Sequence, residues 1–135
     1  MMLRSAHRRP QRGVAAAEFA VCLPVIVLLV LAMIETCSMV FLKQSLTVAA
    51  YEGAHVALKP GATDSEVRTT CESILRDRRI NAATITVTPG NIAGIAEGDY
   101  MTVRVAAPSG RNTVLPLRFF RGATIDAAAV VMKEI

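Results

Sequence analysis

The chain has 135 residues, enough for one modest domain, of which 53% are hydrophobic and only 4% aromatic. A mean hydropathy of +0.42 is too high for an ordinary soluble domain. The net charge of +4 does not mark a nucleic-acid reader, because its arginines form a short flank with no interleaved aromatics and no reading motif.

Arg4, Arg8, Arg9 and Arg12 open the chain with no acid among them. Basic residues beside a first apolar helix hold that end in the cytoplasm, so residues 1–13 are expected to be a cytoplasmic leader and Lys43 onward to be exported. From Phe19 to Ile34 no residue is charged. With Thr36 to Leu42 the run reaches about 24 residues, broken only by Glu35, and a bilayer needs roughly 20 at 1.5 Å rise each. About eleven positions between Phe19 and Ile34 are Phe, Leu, Ile or Val, each favouring insertion by roughly 0.3 to 0.6 kcal/mol. Residues 14–42 therefore read as a transmembrane helix. Ala32-Met33-Ile34-Glu35-Thr36 lacks the small residues that signal peptidase requires, so the helix is expected to be retained.

Three cysteines give no disulfide framework. Cys22 and Cys37 lie roughly 22 Å apart along the helix, too far to bridge within one chain. Cys71 reads as a small buried hydrophobe.

Beyond the span, Leu42, Leu46, Ala49, Ala50, Gly53, Val56 and Ala57 recur at three- and four-residue spacings. They extend the helix over residues 43–59 with a small-residue face that allows close backbone approach. Lys59-Pro60-Gly61 stops it. Residues 60–135 read as an exported α+β domain. Thr63-Asp64-Ser65-Glu66 is a capping box, and the amphipathic helix after it carries Val67, Cys71, Ile74 and Leu75 on one stripe. After Arg79 the period becomes two. Ile85 and Val87, then Met101, Val103 and Val105, then Ala123 to Val131 alternate with polar residues. This predicts a three-stranded antiparallel sheet with one face buried. Leu115, Leu117, Phe119 and Phe120, in the connection before the last strand, are expected to cover a sheet edge.

No catalytic set emerges. His7 and His55 have no metal-ligand spacing around them. Gly90, Gly94 and Gly98 fall at strand connections rather than in a phosphate loop. The expectation is no enzyme, no cofactor, no metal, no small-molecule substrate and no nucleic acid.

Glu18 is the notable residue. The phrase runs from basic residues to Gly13, four small residues, Glu18-Phe19 and a long apolar helix containing Pro24. Glycine there offers a protease a flexible peptide bond at the membrane face. Cutting after Gly13 would remove the arginines and leave an α-amine on Val14, four residues from Glu18. An amine and a carboxylate in low dielectric would compensate each other, within one helix or between subunits. Glu35 is expected near the outer headgroups, roughly 32 Å along the helix from Val14. It marks the end of the span or makes a polar contact between packed helices.

Gly13 with Glu18-Phe19 resembles the recognition phrase that prepilin peptidase reads in Flp-type (type IVb) pilins. Together with Leu23-Pro24, Glu35 and Ala49-Ala50-Tyr51-Glu52-Gly53-Ala54-His55, it resembles the TadE-like family of tight-adherence pilus assembly proteins. Tyr51 and His55 depart, standing where the family often has arginine. The resemblance implies a minor pseudopilin with a pilin-like fold, anchored by one helix in the bacterial inner membrane. It also implies trimming by prepilin peptidase at Gly13, Val14, Glu18 and Phe19, and partners among other pilins, pseudopilins and the pilus assembly platform. Pro24, Glu35, Glu52 and Gly53 are the candidates for helix packing or assembly in this adhesive system. The alternative is an unprocessed single-pass membrane protein with an extracytoplasmic binding or scaffold domain.

Overall fold

The computed structural model describes residues 12–114 and 122–134. The leader up to Gln11, and the connection in which Leu115, Leu117, Phe119 and Phe120 are expected to cover a sheet edge, lie outside the described residues. In chain order come α1 (Arg12–Ala57), α2 (Asp64–Asp77), β1 (Thr84–Thr88), β2 (Tyr100–Pro108) and β3 (Thr124–Met132). Short 3₁₀ turns at Ile92–Gly94 and Ser109–Arg111 join them. The fold is α+β. The chain forms two compact units, one ending at Met33 and the other beginning at Ile34.

The first unit contains the leading part of α1. Its large apolar side chains point out on every side: Val21 is 77% exposed and Leu28 59%. A helix apolar all round, with no stripe to lay on a core, is made for lipid. It is long and apolar enough to cross a membrane. Pro24 sits inside it. Proline donates no bond to the carbonyl four residues back, a loss that membrane helices tolerate.

In the second unit α1 turns amphipathic. Leu42, Leu46, Ala49, Ala50, Ala54 and Ala57 are buried in one core with Val67, Cys71 and Leu75 of α2. α1 stops at Ala57, just before the expected Lys59-Pro60-Gly61 breaker, and Gly61 takes the left-handed φ of +76° that reverses the chain. α2 then starts at the expected capping box. Thr63 Oγ1 accepts from the Glu66 amide at 3.3 Å, and the Thr63 amide donates to Glu66 Oε2 at 2.9 Å. The Thr63 backbone N–H, the largest cause, and the Thr63 hydroxyl, which donates to Glu66 Oε2 at 3.1 Å, hold the Glu66 carboxyl below its ordinary range.

The sheet has the order β1-β2-β3, antiparallel throughout. Val87 pairs with Val103, and Val103 with Ala129, so the predicted inward positions of all three strands align across one face. Met101, Val103 and Val105 are fully buried there, each stabilising the fold by about 1.5–3 kcal/mol. Ile92 and Ile95, in the β1–β2 connection, are also buried in this core. The period-two pattern does not reach them.

Candidate functional site

The candidate residues all lie on α1, and each unit holds its own group. In the first unit Gly13 lies on α1, and among the described residues no atom comes within 4 Å of where its Cβ would stand. Gly13 is thus helical, where the sequence reading set it before the helix. Val14 is 63% exposed, Phe19 60%, and Glu18 is exposed as well. Val14 and Glu18 are one turn apart on the same face, and helical side chains lean toward the N-terminus. The Glu18 carboxylate therefore leans back toward the place where a new α-amine on Val14 would be. It would also complement the positive end of the shortened helix.

In the second unit Gly53 is a point of close approach. A Cβ on Gly53 would collide with Cys71 Sγ, and would stand 3.3 Å from Val103 Cγ1 and 3.4 Å from Val67 Cγ1. One glycine thus admits α2 and β2 to the same spot on α1. Cys71 completes the contact: its thiol donates to the Ala49 carbonyl at 3.2 Å. Burial is the main cause that pushes its pKa from 9.0 up to about 11.

Glu35 is only 1% exposed, and Ser38 and Ser45 are buried on the same helix. The serine hydroxyls donate to main-chain carbonyls one turn back, Ser38 to Ile34 at 2.9 Å and Ser45 to Phe41 at 2.8 Å. Both serines thereby enter an apolar core with their donors satisfied. Glu52 faces outward. So do Tyr51 and His55, whose Oη and Nε2 lie 3.1 Å apart with ring centroids 4.8 Å apart. The structure thus gathers Gly53 and Glu35 into the interior of the second unit and leaves Glu52 on its surface.

Sequence reasoning missed the links between distant segments, among them a clamp in which the Asn81 amide donates to Asn112 Oδ1 at 2.7 Å and Asn112 Nδ2 donates back to the Asn81 carbonyl at 3.0 Å. Lys43 Nζ donates to the main-chain carbonyl of Asp126 on β3, tying the helix to an edge strand. A lone lysine after an apolar run gives no sign of such a partner.

Residues 13–55 match the model of the family described as TadE-like protein. No curated protein and no solved structure matches the chain. The match starts at Gly13 and closes at His55, taking in both the exposed group and the buried one, so the chain carries a TadE-like helix at its N-terminal end.

Proposed function

We propose that this chain is a minor pseudopilin of a tight-adherence (Flp-type) pilus system, anchored in the inner membrane by α1 and acting as a structural part rather than a catalyst. The observation that carries the reading is the start of the family match at Gly13, where Val14, Glu18 and Phe19 are all exposed. Prepilin peptidase cuts after Gly13. The arginine leader stays in the cytoplasm, and the new amine on Val14 is neutralised by Glu18 of the same helix or of a neighbouring pilin. The domain built on the later part of α1 lies outside the cytoplasm, available to other pilins and to the assembly platform.

Intact-mass measurement on membrane-extracted protein tests the reading. The expected product begins at Val14, and Gly13→Val leaves the full-length chain. A full-length wild-type chain in cells with an active prepilin peptidase would overturn processing and leave an unprocessed single-pass membrane protein.

A further inference from the structure

β3 is an edge strand, so its main-chain groups alternate between the sheet and the outside. The Lys133 amide donates to the Asp99 carbonyl at 3.0 Å, and the Lys133 carbonyl accepts from the Gly98 amide at 2.9 Å. Before the strand, the Ala123 carbonyl accepts from the Ser109 amide at 2.9 Å. Odd-numbered residues therefore bond toward β2, and Thr124, Asp126, Ala128, Val130 and Met132 turn their amides and carbonyls away from it. The Asp126 carbonyl agrees, since it accepts from Lys43 Nζ. Among the described residues no other of these outward groups has a hydrogen-bond partner.

The opposite edge is blunted and this one is not. β1 has 5 residues, its Ile85 carbonyl is taken by Arg68 Nη1 at 2.8 Å, and Pro89 follows it. β3 has 9 residues and no proline, and Lys43 caps only its first half. Beyond that cap Ala128, Val130 and Met132 are exposed, Val130 at 61%. Tyr100 pairs with Met132 and is 68% exposed, extending the same apolar face. On the other face Ala129 and Val131 are only partly buried against the core. Natural sheets blunt such an edge with charge, proline or cover. Water satisfies its polar groups but leaves both apolar faces wet.

A further strand would satisfy those groups in register, and the surroundings state its chemistry. Beside Ala128 to Met132 it meets apolar groups on both faces. Past Met132, Glu97 and Glu134 line one hollow with Lys133, whose ammonium is already bonded to the Ile95 carbonyl at 3.0 Å. That end is net negative and favours a cation. A second copy of β3 does not supply one. Antiparallel self-pairing centred on Ala129 or Val130 sets Thr124 or Asp126 opposite Glu134.

We propose that Ala128, Val130 and Met132 take an antiparallel strand from a partner protein, apolar where it faces them and carrying a lysine or arginine beside Glu97 and Glu134. The proposal uses the second unit alone. It needs neither processing at Gly13 nor a role in a pilus.

The probe is the synthetic peptide Lys-Thr-Val-Thr-Val-Thr-Val, titrated into the full chain in detergent micelles and read by hydrogen exchange resolved to single amides. At about ten times its Kd, the amides of Ala128, Val130 and Met132 should exchange about tenfold more slowly. The Val87 amide, on the β1 edge, should not change. The same peptide N-methylated at its valines cannot donate to the edge and should protect nothing. Ala128→Pro removes one outward N–H and no bond of the sheet. It should abolish protection at Val130 while the amide of Val103, in the ladder with Ala129, stays protected. Exchanging the peptide's lysine for glutamate should weaken binding about threefold or more, and Glu97→Gln with Glu134→Gln should erase that difference. No saturable protection up to about 1 mM peptide, or equal protection by the N-methylated peptide, overturns the proposal. Protection of the same amides by raising the concentration of the chain alone overturns it in favour of a second copy.

Discussion

Gly53 of α1 and Cys71 of α2 occupy one another's space: the glycine has no side chain because the thiol sulfur stands where a Cβ would go. The sulfur in turn donates to the carbonyl of Ala49, one turn earlier on the same helix. Two helices and the central strand converge at this point, so it sets how closely the core closes.

Gly53→Ala is expected to destabilise the fold by about 1–2 kcal/mol. Overpacking of a tight core costs roughly 1–3 kcal/mol, offset in part by about 1 kcal/mol of helix propensity gained on leaving glycine. Removing the sulfur should relieve the clash. A double-mutant cycle with Cys71→Ala, read by denaturant unfolding in detergent, should give a coupling of at least about 1 kcal/mol in the rescuing direction. Simple additivity would show that the contact does not limit packing.

Cys71 should resist alkylation in the folded protein at neutral pH, because the thiol is buried and its pKa is pushed up to about 11. In the unfolded chain the same group titrates near its ordinary 9.0. Its raised folded value means that the stability tied to the protonated thiol is complete below about 9 and is lost as pH rises toward 11. Cys71→Ala, although less stable overall, should lose less of its stability than wild type between those limits. Mass-resolved iodoacetamide labelling and thermal scans at a series of pH values check both statements.

Glu66 gives the opposite dependence. Its carboxyl is held below 4.5 by the bonds from Thr63, so its contribution is present above that value and fades as pH falls through the lowered folded pKa. Wild type and Glu66→Gln should therefore converge in thermal midpoint on acidification and separate again near neutrality. Thr63→Ala, which removes the capping hydroxyl, should cost about 1 kcal/mol at neutral pH.

Glu18→Gln should insert in the membrane as wild type does, since the substitution removes a charge from the start of an apolar helix. The expected loss is in assembly with partner pilins, measured by co-purification from cells at matched expression. Normal assembly would rule out the compensating role of the carboxylate even where trimming at Gly13 is intact.

Much of the second unit was legible from periodicity. Val67, Cys71 and Leu75, and the alternating positions of β1, β2 and β3, fall where spacing puts them, because one buried face leaves the pattern a single register. The Thr63–Glu66 box was equally plain, being a local arrangement of adjacent residues. The burial of Glu35 was not. Along an unbroken apolar helix, sequence does not distinguish a side chain that meets lipid from one that meets protein, and counting rise per residue assigned Glu35 to the headgroups. That count left its packing open, and the fold adds that the side chain is buried within the second unit at 1% exposure. Lys43 and the Asn81–Asn112 clamp were hidden for a related reason: their partners are 83 and 31 residues away. The phrase from Gly13 to Phe19 was legible as a phrase, and the structure adds that Val14, Glu18 and Phe19 are exposed on the helix.

Met39, Leu42, Ser45 and Leu46 belong to the core although they continue the greasy run of α1. A soluble fragment designed by hydropathy, begun at Lys43 where the first cation appears, would discard Met39 and Leu42 and open a hole under the sheet. Truncations meant for crystallisation or binding assays should start no later than Ile34, with outward-facing Val40 and Phe41 exchanged for polar residues to keep the fragment from clumping.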